Sequence, residues 1–260
     1  MNSIFAITNQ KGGVGKTTTA INLAQALALK NLKILVVDLD PQGNATQGLG
    51  VKLESVKTSI SDLIRDNGVP ADHAIYEGDG LFLIPATPLL ASIEREMVGI
   101  TNSELYLAHQ LRKLKGRFDA IFIDTPPTFG PLMNSALNAA DGLLVPVDSN
   151  YFAMMGIKEL LAEIDKISLT NPALKVFGYL MTLADHTKIT EETQDALKSE
   201  FGESIFKTVI RRCVKLREAP ALGRTIFHHA PQSTAGEDYL RLAQEVMDRS
   251  GIGLNLNAAV

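Results

Sequence analysis

The sequence of 260 residues has one cysteine, Cys213, and no apolar run of membrane-spanning length. A single cysteine excludes a disulfide within the chain and a metal site made only of cysteines. A transmembrane helix needs about 18 consecutive apolar residues. The start, MNSIFAITNQ, lacks the charged segment and the small-residue cleavage site of a signal peptide. We therefore expect a soluble cytoplasmic protein.

The sequence also lacks any feature that would separate domains. There is no Pro/Ser/Gly-rich linker, low-complexity tract or internal repeat, although the length would allow two small domains. A chain of 260 residues, 45% of them hydrophobic, can bury the core of one large α/β domain. We predict one domain over residues 1–260, with the last ~10 residues as a flexible tail. The ending GLNLNAAV has no basic amphipathic face, so we expect no membrane partner.

Apolar segments of strand length alternate with segments of helical periodicity. The strand-like runs are continuous rather than alternating, which is typical of strands buried on both faces. This order predicts an α/β fold, a mostly parallel twisted sheet with helices on both faces. In such sheets ligands bind beyond the carboxyl ends of the strands. The runs are SIFAIT, KILVVD, LFLIPA, DAIFID, GLLVPV, KVFGYLMT and IFKTVI.

A glycine-rich stretch, NQKGGVGKTTT, lies between the first predicted strand and the first predicted helix. Its glycines leave room for phosphate oxygens to reach backbone N–H groups, and the positive end of the helix adds to this attraction. Lys16 can reach the outer phosphates, and the Thr17 hydroxyl can ligate Mg²⁺. The stretch predicts a phosphate-binding loop, with its glycines at Gly12, Gly13 and Gly15.

The loop departs from the pattern G-x-x-x-x-G-K-[ST] in two ways. Gln10 stands where the pattern has a glycine, and Lys11 supplies a second lysine. The alternative is a turn rich in glycine and lysine that binds nothing. The strand before the loop and the helix after it favour phosphate binding over that alternative.

Two predicted strands end in aspartates. In ILVVDLDPQGNAT, Pro41 breaks the strand after Asp38 and turns Asp40 toward the site. The predicted strand in DAIFIDTPP ends at Asp124. This is a Walker B position, where a carboxylate lies near Mg²⁺ and contacts it through a water molecule. The alternative for Asp38 and Asp40 is turn formation or helix capping in DPQGN, and for Asp124 it is capping of the next helix.

These segments together resemble the ParA/Soj family of DNA-partitioning ATPases, whose deviant Walker A motif carries an extra lysine near its start. The resemblance rests on KGGVGKTTT, VDLDPQGNAT, FIDTPP and REAPALGRTI, and extends roughly from Ser3 to Met247. It implies a P-loop NTPase fold with ATP and Mg²⁺ as cofactors. The implied residues are Lys11, Lys16 and Asp40 for catalysis; Lys11, Gly12, Gly13, Val14, Gly15, Lys16, Thr17, Thr18 and Arg212 for the nucleotide; and Thr17, Asp40 and Asp124 for the metal.

The resemblance also implies an ATP-dependent homodimer. Lys11 is expected to reach the nucleotide of the second subunit, much as an arginine finger does, and the alternative is that it contacts only its own subunit's phosphates or solvent. Asp40 is expected to orient or activate the attacking water by hydrogen bonding. Asp38 is expected to support the metal indirectly, without ligating it.

The chain carries a basic stretch in an otherwise acidic protein. Between Ile205 and His228 there are six basic side chains and one acidic one, a charge of +5, against -4 for the whole chain. Such a patch indicates a polyanion surface, and the resemblance implies nonspecific duplex DNA. The alternative is that this loop holds the adenine and that its arginines serve the nucleotide or the dimer. The predicted DNA contacts are Lys188, Arg211, Lys215, Arg217 and Arg224.

The family pattern is incomplete in this region. Relatives commonly have PRN where this chain has RRC at 211–213, and TLADHTKIT lacks an arginine that relatives often carry there, so that Lys188 is the nearest substitute. The leading hypothesis is an ATPase that binds DNA as an ATP dimer and positions a cargo with a ParB-like partner. The alternatives are a MinD-type ATPase on a membrane surface and a metabolic ATP-dependent enzyme of the same fold.

Overall fold

The computed structural model describes residues 3–65, 69–149 and 153–253. Within these residues seven strands form one sheet in the order β3-β4-β2-β5-β1-β6-β7. Every neighbouring pair is parallel except the antiparallel pair β3 and β4. The α/β class with a mostly parallel sheet is thus confirmed. The strands are β1 (Ser3–Ile7), β2 (Ile34–Asp38), β3 (Tyr76–Gly78), β4 (Leu81–Ile84), β5 (Ala120–Asp124), β6 (Gly142–Asp148) and β7 (Lys175–Thr182).

Helices cover both faces of this sheet. In the described residues they are α1 (Lys16–Ala28), α2 (Asn44–Gly48), α3 (Ile60–Arg65), α4 (Leu90–Met97), α5 (Tyr106–Arg112), α6 (Pro131–Ala139), α7 (Ala153–Ile167), α8 (Lys188–Phe201), α9 (Lys215–Ala221), α10 (Ile226–His229) and α11 (Thr234–Ser250). None of them is both long enough and apolar enough to span a bilayer.

The two faces of the sheet have separate hydrophobic cores, and successive strand residues contribute to opposite cores. Along β5, Ala120 and Phe122 pack in the core that includes α1 and α11, whereas Ile121 and Ile123 pack in the core that includes α3 to α7. Because side chains alternate across a strand, both kinds of position must be apolar. This explains why the strands read as continuous apolar runs.

The expectation of a strand in IFKTVI, residues 205–210, is wrong. This segment runs beside β7 and makes only isolated bridges, between Ile205 and Tyr179 of β7 and between Arg211 and Ala184 just beyond β7. The backbone amides of Lys207 and Thr208 donate instead to the Glu245 carboxylate of α11, at 2.7 and 2.9 Å. These two donors are therefore lost to the strand ladder, so that no continuous pairing forms.

The short edge strand β3 was not expected from the sequence. It forms a hairpin with β4 across Asp79 and Gly80, whose φ angles are +50° and +74°. Two consecutive residues with positive φ are typical of the tight hairpin turn that Asp-Gly favours. The Asp-Gly dipeptide is the signal in the sequence from which this hairpin could have been predicted.

Residues 254–260 of the expected tail lie outside the described residues, and the single-domain assignment stays a prediction.

Candidate nucleotide site

The glycine-rich loop lies at the carboxyl edge of the sheet, where neighbouring strands hold it. The Asn9 side-chain amide donates to the carbonyl of Pro146 in β6 at 2.7 Å. The Thr182 hydroxyl at the end of β7 donates to the carbonyl of Val14 at 2.8 Å. Within the loop, the Lys11 amide donates to the Asn9 side-chain oxygen at 3.0 Å. The loop is therefore fixed in shape by β6 and β7.

The loop forms an open cradle in front of α1. Gly13 and Gly15 have φ angles of +77° and +88°, a left-handed conformation that favours glycine. A Cβ atom built on Gly12 or Gly13 would meet no heavy atom within 4 Å, so the space in front of their backbone is free. The helix begins directly after Gly15, and its first turn carries Lys16, Thr17 and Thr18. Helix N–H groups and a lysine at such a cradle fit a phosphate group.

Lys16 is buried at the centre of the cradle, with 7% of its surface exposed. Its ammonium donates to the carbonyl of Lys11 at 3.1 Å. Burial lowers the pKa of this amine, whereas the nearby charges of Asp124 and Asp40 raise it. The Lys16 ammonium therefore donates to the loop backbone in this structure, and phosphate oxygens could take the place of that carbonyl.

Two aspartates lie side by side below the cradle, because Asp38 ends β2 in register with Asp124 at the end of β5. Both are fully buried. Burial raises the pKa of Asp38 to about 6. The pKa of Asp124 lies well above its ordinary value, first because of burial and second because of the charge of Asp38. The Thr17 hydroxyl is near enough to lower the pKa of Asp124 in part.

The surroundings of the Asp124 carboxylate are those of a possible metal ligand. Among the described residues, neither of its oxygens has a partner with full hydrogen-bond geometry, whereas buried carboxylates are normally paired or bound to metal. A carboxylate beside a hydroxyl is the oxygen donor set that Mg²⁺ prefers. Asp124 and Thr17 therefore fit a magnesium ion.

Asp38 and Asp40 differ in their surroundings. Asp38 accepts hydrogen bonds from the Thr46 amide and hydroxyl, both at 2.7 Å, and from the Asp40 amide at 3.2 Å. It therefore forms the turn that the sequence left open as an alternative. Asp40 accepts from the Gln42 amide at 2.9 Å and faces the cavity in front of the loop. The turn made by Asp38 holds Asp40 in that position.

The cradle opens into a cavity of about 860 Å³, large enough for a nucleotide. Arg212 stands on the wall formed by the 205–213 segment, and Pro220 and Arg217 of α9 extend this wall. Of the predicted site residues, the cavity brings together Gly12, Gly13, Gly15, Lys16, Thr17, Thr18, Asp40 and Arg212. The side chain of Val14 is buried, so only its backbone is available to a ligand.

The predicted DNA residues have different environments. The Arg211 guanidinium makes a forked pair with Asp238 of α11, at 2.7 to 3.2 Å, and lies 3.5 Å from Glu237. Lys215 pairs with Glu218 at 2.7 Å on the same exposed helix face. The remaining three are exposed, namely Lys188, Arg217 and Arg224. The structure thus gives Arg211 an internal partner, and the DNA assignments stay predictions.

Lys11 is not among the residues that line the cavity. Its ammonium pairs with the Asp148 carboxylate at 2.5 Å, at the end of β6, and 37% of its side chain is exposed. Sequence reasoning missed Asp148, as it missed Asn9 and Thr182, which hold the loop. Each of the three stands at or just beyond the end of an apolar run. The rule that ligands bind at strand ends could have pointed to them.

Comparison with known proteins agrees with this geometry. A family profile described as "AAA domain" matches residues 2–176. The chain is 44% identical to the chromosome-partitioning ATPase Soj of Thermus thermophilus over 94% of this chain and 95% of that one. It is 40% identical to the sporulation initiation inhibitor protein Soj of Bacillus subtilis, over 95% and 98%.

Among solved structures, a cobyrinic acid a,c-diamide synthase from Mycobacterium smegmatis with bound ADP and magnesium is similar. It superposes with a TM-score of 0.84 and 29% identity, and the match covers 97% of each chain. The Soj relatives match at higher identity over nearly the whole chain. Together with the double-lysine loop and the aspartates at the ends of β2 and β5, they show that this chain is an ATPase of the ParA/Soj family of deviant Walker A partitioning proteins.

Proposed function

We propose that this chain binds ATP with Mg²⁺, dimerises in that state, and then binds duplex DNA without sequence specificity. With a ParB-like partner that stimulates slow hydrolysis, repeated cycles would segregate or position a cargo, such as a chromosome origin, a plasmid or a protein cluster. The observation that carries the proposal is the second lysine, Lys11, beside a complete phosphate cradle. The Soj relative named a chromosome-partitioning ATPase supports this choice.

The cradle supports ATP with Mg²⁺ as the ligand. Lys16 and the amides of the loop would hold the phosphates, and Arg212 would line the base side. Thr17 and Asp124 would hold the magnesium ion, with Asp40 nearby. When bound, the ion would neutralise phosphate charge. Asp40 faces the cavity with one oxygen bonded to an amide, so its carboxylate can orient a water molecule there.

Lys11 supports a role across a dimer interface, because it does not line the cavity of its own subunit and part of its side chain is exposed. A cation that reaches the partner's phosphates would couple dimerisation to the γ-phosphate and so act as a switch. We expect Lys11→Ala to bind nucleotide and to remain monomeric. A normal ATP-dependent dimer of that variant would contradict the role in trans.

The DNA surface would be formed by exposed basic residues near the cavity. Arg217 lines the cavity, and Lys215 lies two residues away on α9. A surface of this kind contacts phosphates rather than bases, so its binding should depend strongly on salt. The protein would be cytoplasmic and associated with the nucleoid in its ATP state.

The test is binding of random-sequence duplex DNA by Asp40→Ala protein, which should hold ATP without hydrolysing it. We would compare ATP, ADP and no nucleotide, with Lys11→Ala as the control, over a range of salt concentrations. We expect binding with ATP only, lost in Lys11→Ala, with a log–log salt slope of about -3 to -5 from roughly four to five phosphates.

Two results would contradict the proposal in different ways. An ATP dimer that binds no DNA would leave the switch intact and would indicate another surface, such as lipid or a protein scaffold. Absence of an ATP dimer in the Asp40→Ala protein would contradict the switch itself. Vesicles of anionic lipid, tested in parallel, separate this function from a MinD-type one.

A further inference from the structure

The contact between Lys11 and Asp148 links the glycine-rich loop to the end of β6. The two charged groups are 2.5 Å apart, and the Asp148 side chain is 18% exposed. Asn9 makes a second link between the same elements, through Pro146 and the Lys11 amide. Lys11 is therefore held at two points, its backbone amide and its side-chain ammonium group.

We infer that Asp148 is a positioning residue that holds Lys11 within its own subunit, so that the lysine is withheld from a second copy of the chain until ATP binds. This inference rests on the proposed function, in which Lys11 acts on the partner's nucleotide. While the ammonium is paired with Asp148, that carboxylate neutralises its charge and holds it against its own subunit, so that it is not free to move to a phosphate of another subunit. The contact must open in each protomer before the dimer can close.

The position of the pair fits such a hold. Both side chains are partly exposed, so the ammonium can leave without crossing the core. A partly exposed ion pair is weak, and it changes an equilibrium by a factor of about two to five. A weak hold can yield to the larger negative charge of ATP, whereas a buried pair would not open readily.

The test uses Asp148→Asn, which keeps the size of the side chain and removes its charge. It would be combined with Asp40→Ala to block hydrolysis, and the dimer dissociation constant would be measured by analytical ultracentrifugation in ATP. Since both protomers release a lysine, we expect dimerisation to tighten by roughly 4- to 25-fold. Glu163→Gln is the matched control, because Glu163 is 22% exposed and pairs with Lys166 at 2.5 Å on α7. An unchanged dissociation constant in Asp148→Asn would overturn the inference.

A second readout does not depend on dimerisation. In the nucleotide-free monomer, the reaction of Lys11 with an acylating reagent would be followed by mass spectrometry, with Lys188 and Lys198 as internal references. We expect Asp148→Asn to speed the labelling of Lys11 several-fold and to leave the references unchanged. Equal labelling of Lys11 in both proteins would overturn the inference, even if the wild type formed no dimer.

Asp148→Asn also removes any direct repulsion between Asp148 and the phosphates of ATP, which would tighten the dimer by improving nucleotide binding. The Lys11→Ala background separates the two causes. If the hold acts through Lys11, adding Asp148→Asn to Lys11→Ala leaves the affinity for a fluorescent ATP analogue unchanged. An increase in affinity that persists without Lys11 would contradict the inference.

Discussion

At the scale of single residues, Asp124 is the side chain whose surroundings are least favourable without a ligand. It is fully buried beside Asp38, and neither of its oxygens has a partner with full hydrogen-bond geometry in the described part of the chain. Asp38 is also buried, but it accepts three hydrogen bonds, from the Asp40 amide and from the amide and hydroxyl of Thr46 in α2. Asp38 is thus satisfied within the chain, whereas Asp124 keeps acceptor capacity for a ligand.

We predict that Asp124→Asn stabilises the protein in magnesium-free buffer, increasingly so as pH rises. The folded-state pKa of Asp124 is raised, so its contribution to stability is complete below the unfolded value of 3.8 and is lost as pH rises toward the folded value. The advantage of the variant in free energy of unfolding should grow by up to about 1.4 kcal/mol per pH unit in that range. Urea unfolding at several pH values measures it.

Asp165→Asn, on the exposed face of α7, is the control and should show no such trend. The stabilisation by Mg²⁺ with ADP should be present in the wild type and largely absent in Asp124→Asn. Parallel pH profiles for the wild type and Asp124→Asn would contradict the burial of an unpaired carboxylate.

At the scale of elements, α11 determines the path of the 205–211 segment. Glu245 takes two backbone amides of the segment, and Asp238 takes the amide and the guanidinium of Arg211. Asp238 is 2% exposed, and Arg211 is its nearer counter-charge at 2.7 Å, whereas Arg241 lies at 3.5 Å. The segment therefore forms a wall of the cavity rather than an eighth strand of the sheet.

We predict that Arg211→Ala lowers the free energy of unfolding by about 1–2 kcal/mol, because it leaves buried Asp238 with only the more distant Arg241 as a cation. The loss should be smaller than for a fully buried pair, since 40% of the Arg211 side chain is exposed. Arg217→Ala should leave stability unchanged within about 0.5 kcal/mol. Chemical denaturation compares the two. An unchanged stability of Arg211→Ala would contradict its structural role.

The loops that follow two cavity-lining helices, α2 and α9, meet at a pair of glycines. Gly50 follows α2 and Gly223 follows α9, with φ angles of +80° and +62°. A Cβ atom on Gly50 would lie 2.9 Å from the carbonyl oxygen of Gly223, and one on Gly223 would lie 2.8 Å from the Cα of Gly50. The close approach therefore sets the separation of α2 and α9.

We predict that Gly50→Ala weakens nucleotide binding several-fold, because the added methyl group pushes apart α2 and α9, which both line the cavity. Gly80→Ala is the matched control. Its φ is +74°, and a Cβ there meets no heavy atom within 4 Å, so it carries the backbone strain without the clash. Both variants should lose about 1 kcal/mol of stability from strain, and Gly50→Ala about 1–3 kcal/mol more. Equal ADP affinities of the two variants would contradict the prediction.

The order of apolar and helical segments predicted the elements that build the site, but not every contact within it. The cradle, Asp40 and Asp124 could be predicted because each belongs to a short local pattern at a strand end. The 205–210 segment could not, since its six residues are apolar enough for a strand and the competing Glu245 lies about 40 residues later. Asp148 was missed because its partner Lys11 is 137 residues away.

At the scale of the whole molecule, the site is made at the carboxyl edge of the central strands. β1, which leads into the loop, lies between β5 and β6, and β2 lies on the other side of β5. A ligand there contacts the ends of strands that share both hydrophobic cores. Binding should therefore stabilise the sheet as one unit, in accord with a single domain over residues 1–260.

We predict one cooperative thermal transition that shifts as a whole when ADP binds. ADP with Mg²⁺ at about 100 times its dissociation constant should add about 2.7 kcal/mol, which raises the Tm by roughly 5–10 °C for a chain of this size. Differential scanning calorimetry measures the shift. Two transitions, of which ADP moves only one, would show two separately folding units and contradict the single domain.

The hydrogen bond from the Lys16 ammonium to the Lys11 carbonyl has a consequence for the order of events. A nucleotide that draws Lys16 onto its phosphates removes a bond from the backbone of the very residue whose side chain Asp148 holds. On the proposal above, nucleotide binding comes before lysine release, and lysine release comes before pairing of two chains. Dimer formation would then have a compulsory order, in which a subunit without nucleotide stays monomeric and only a subunit with bound nucleotide can pair.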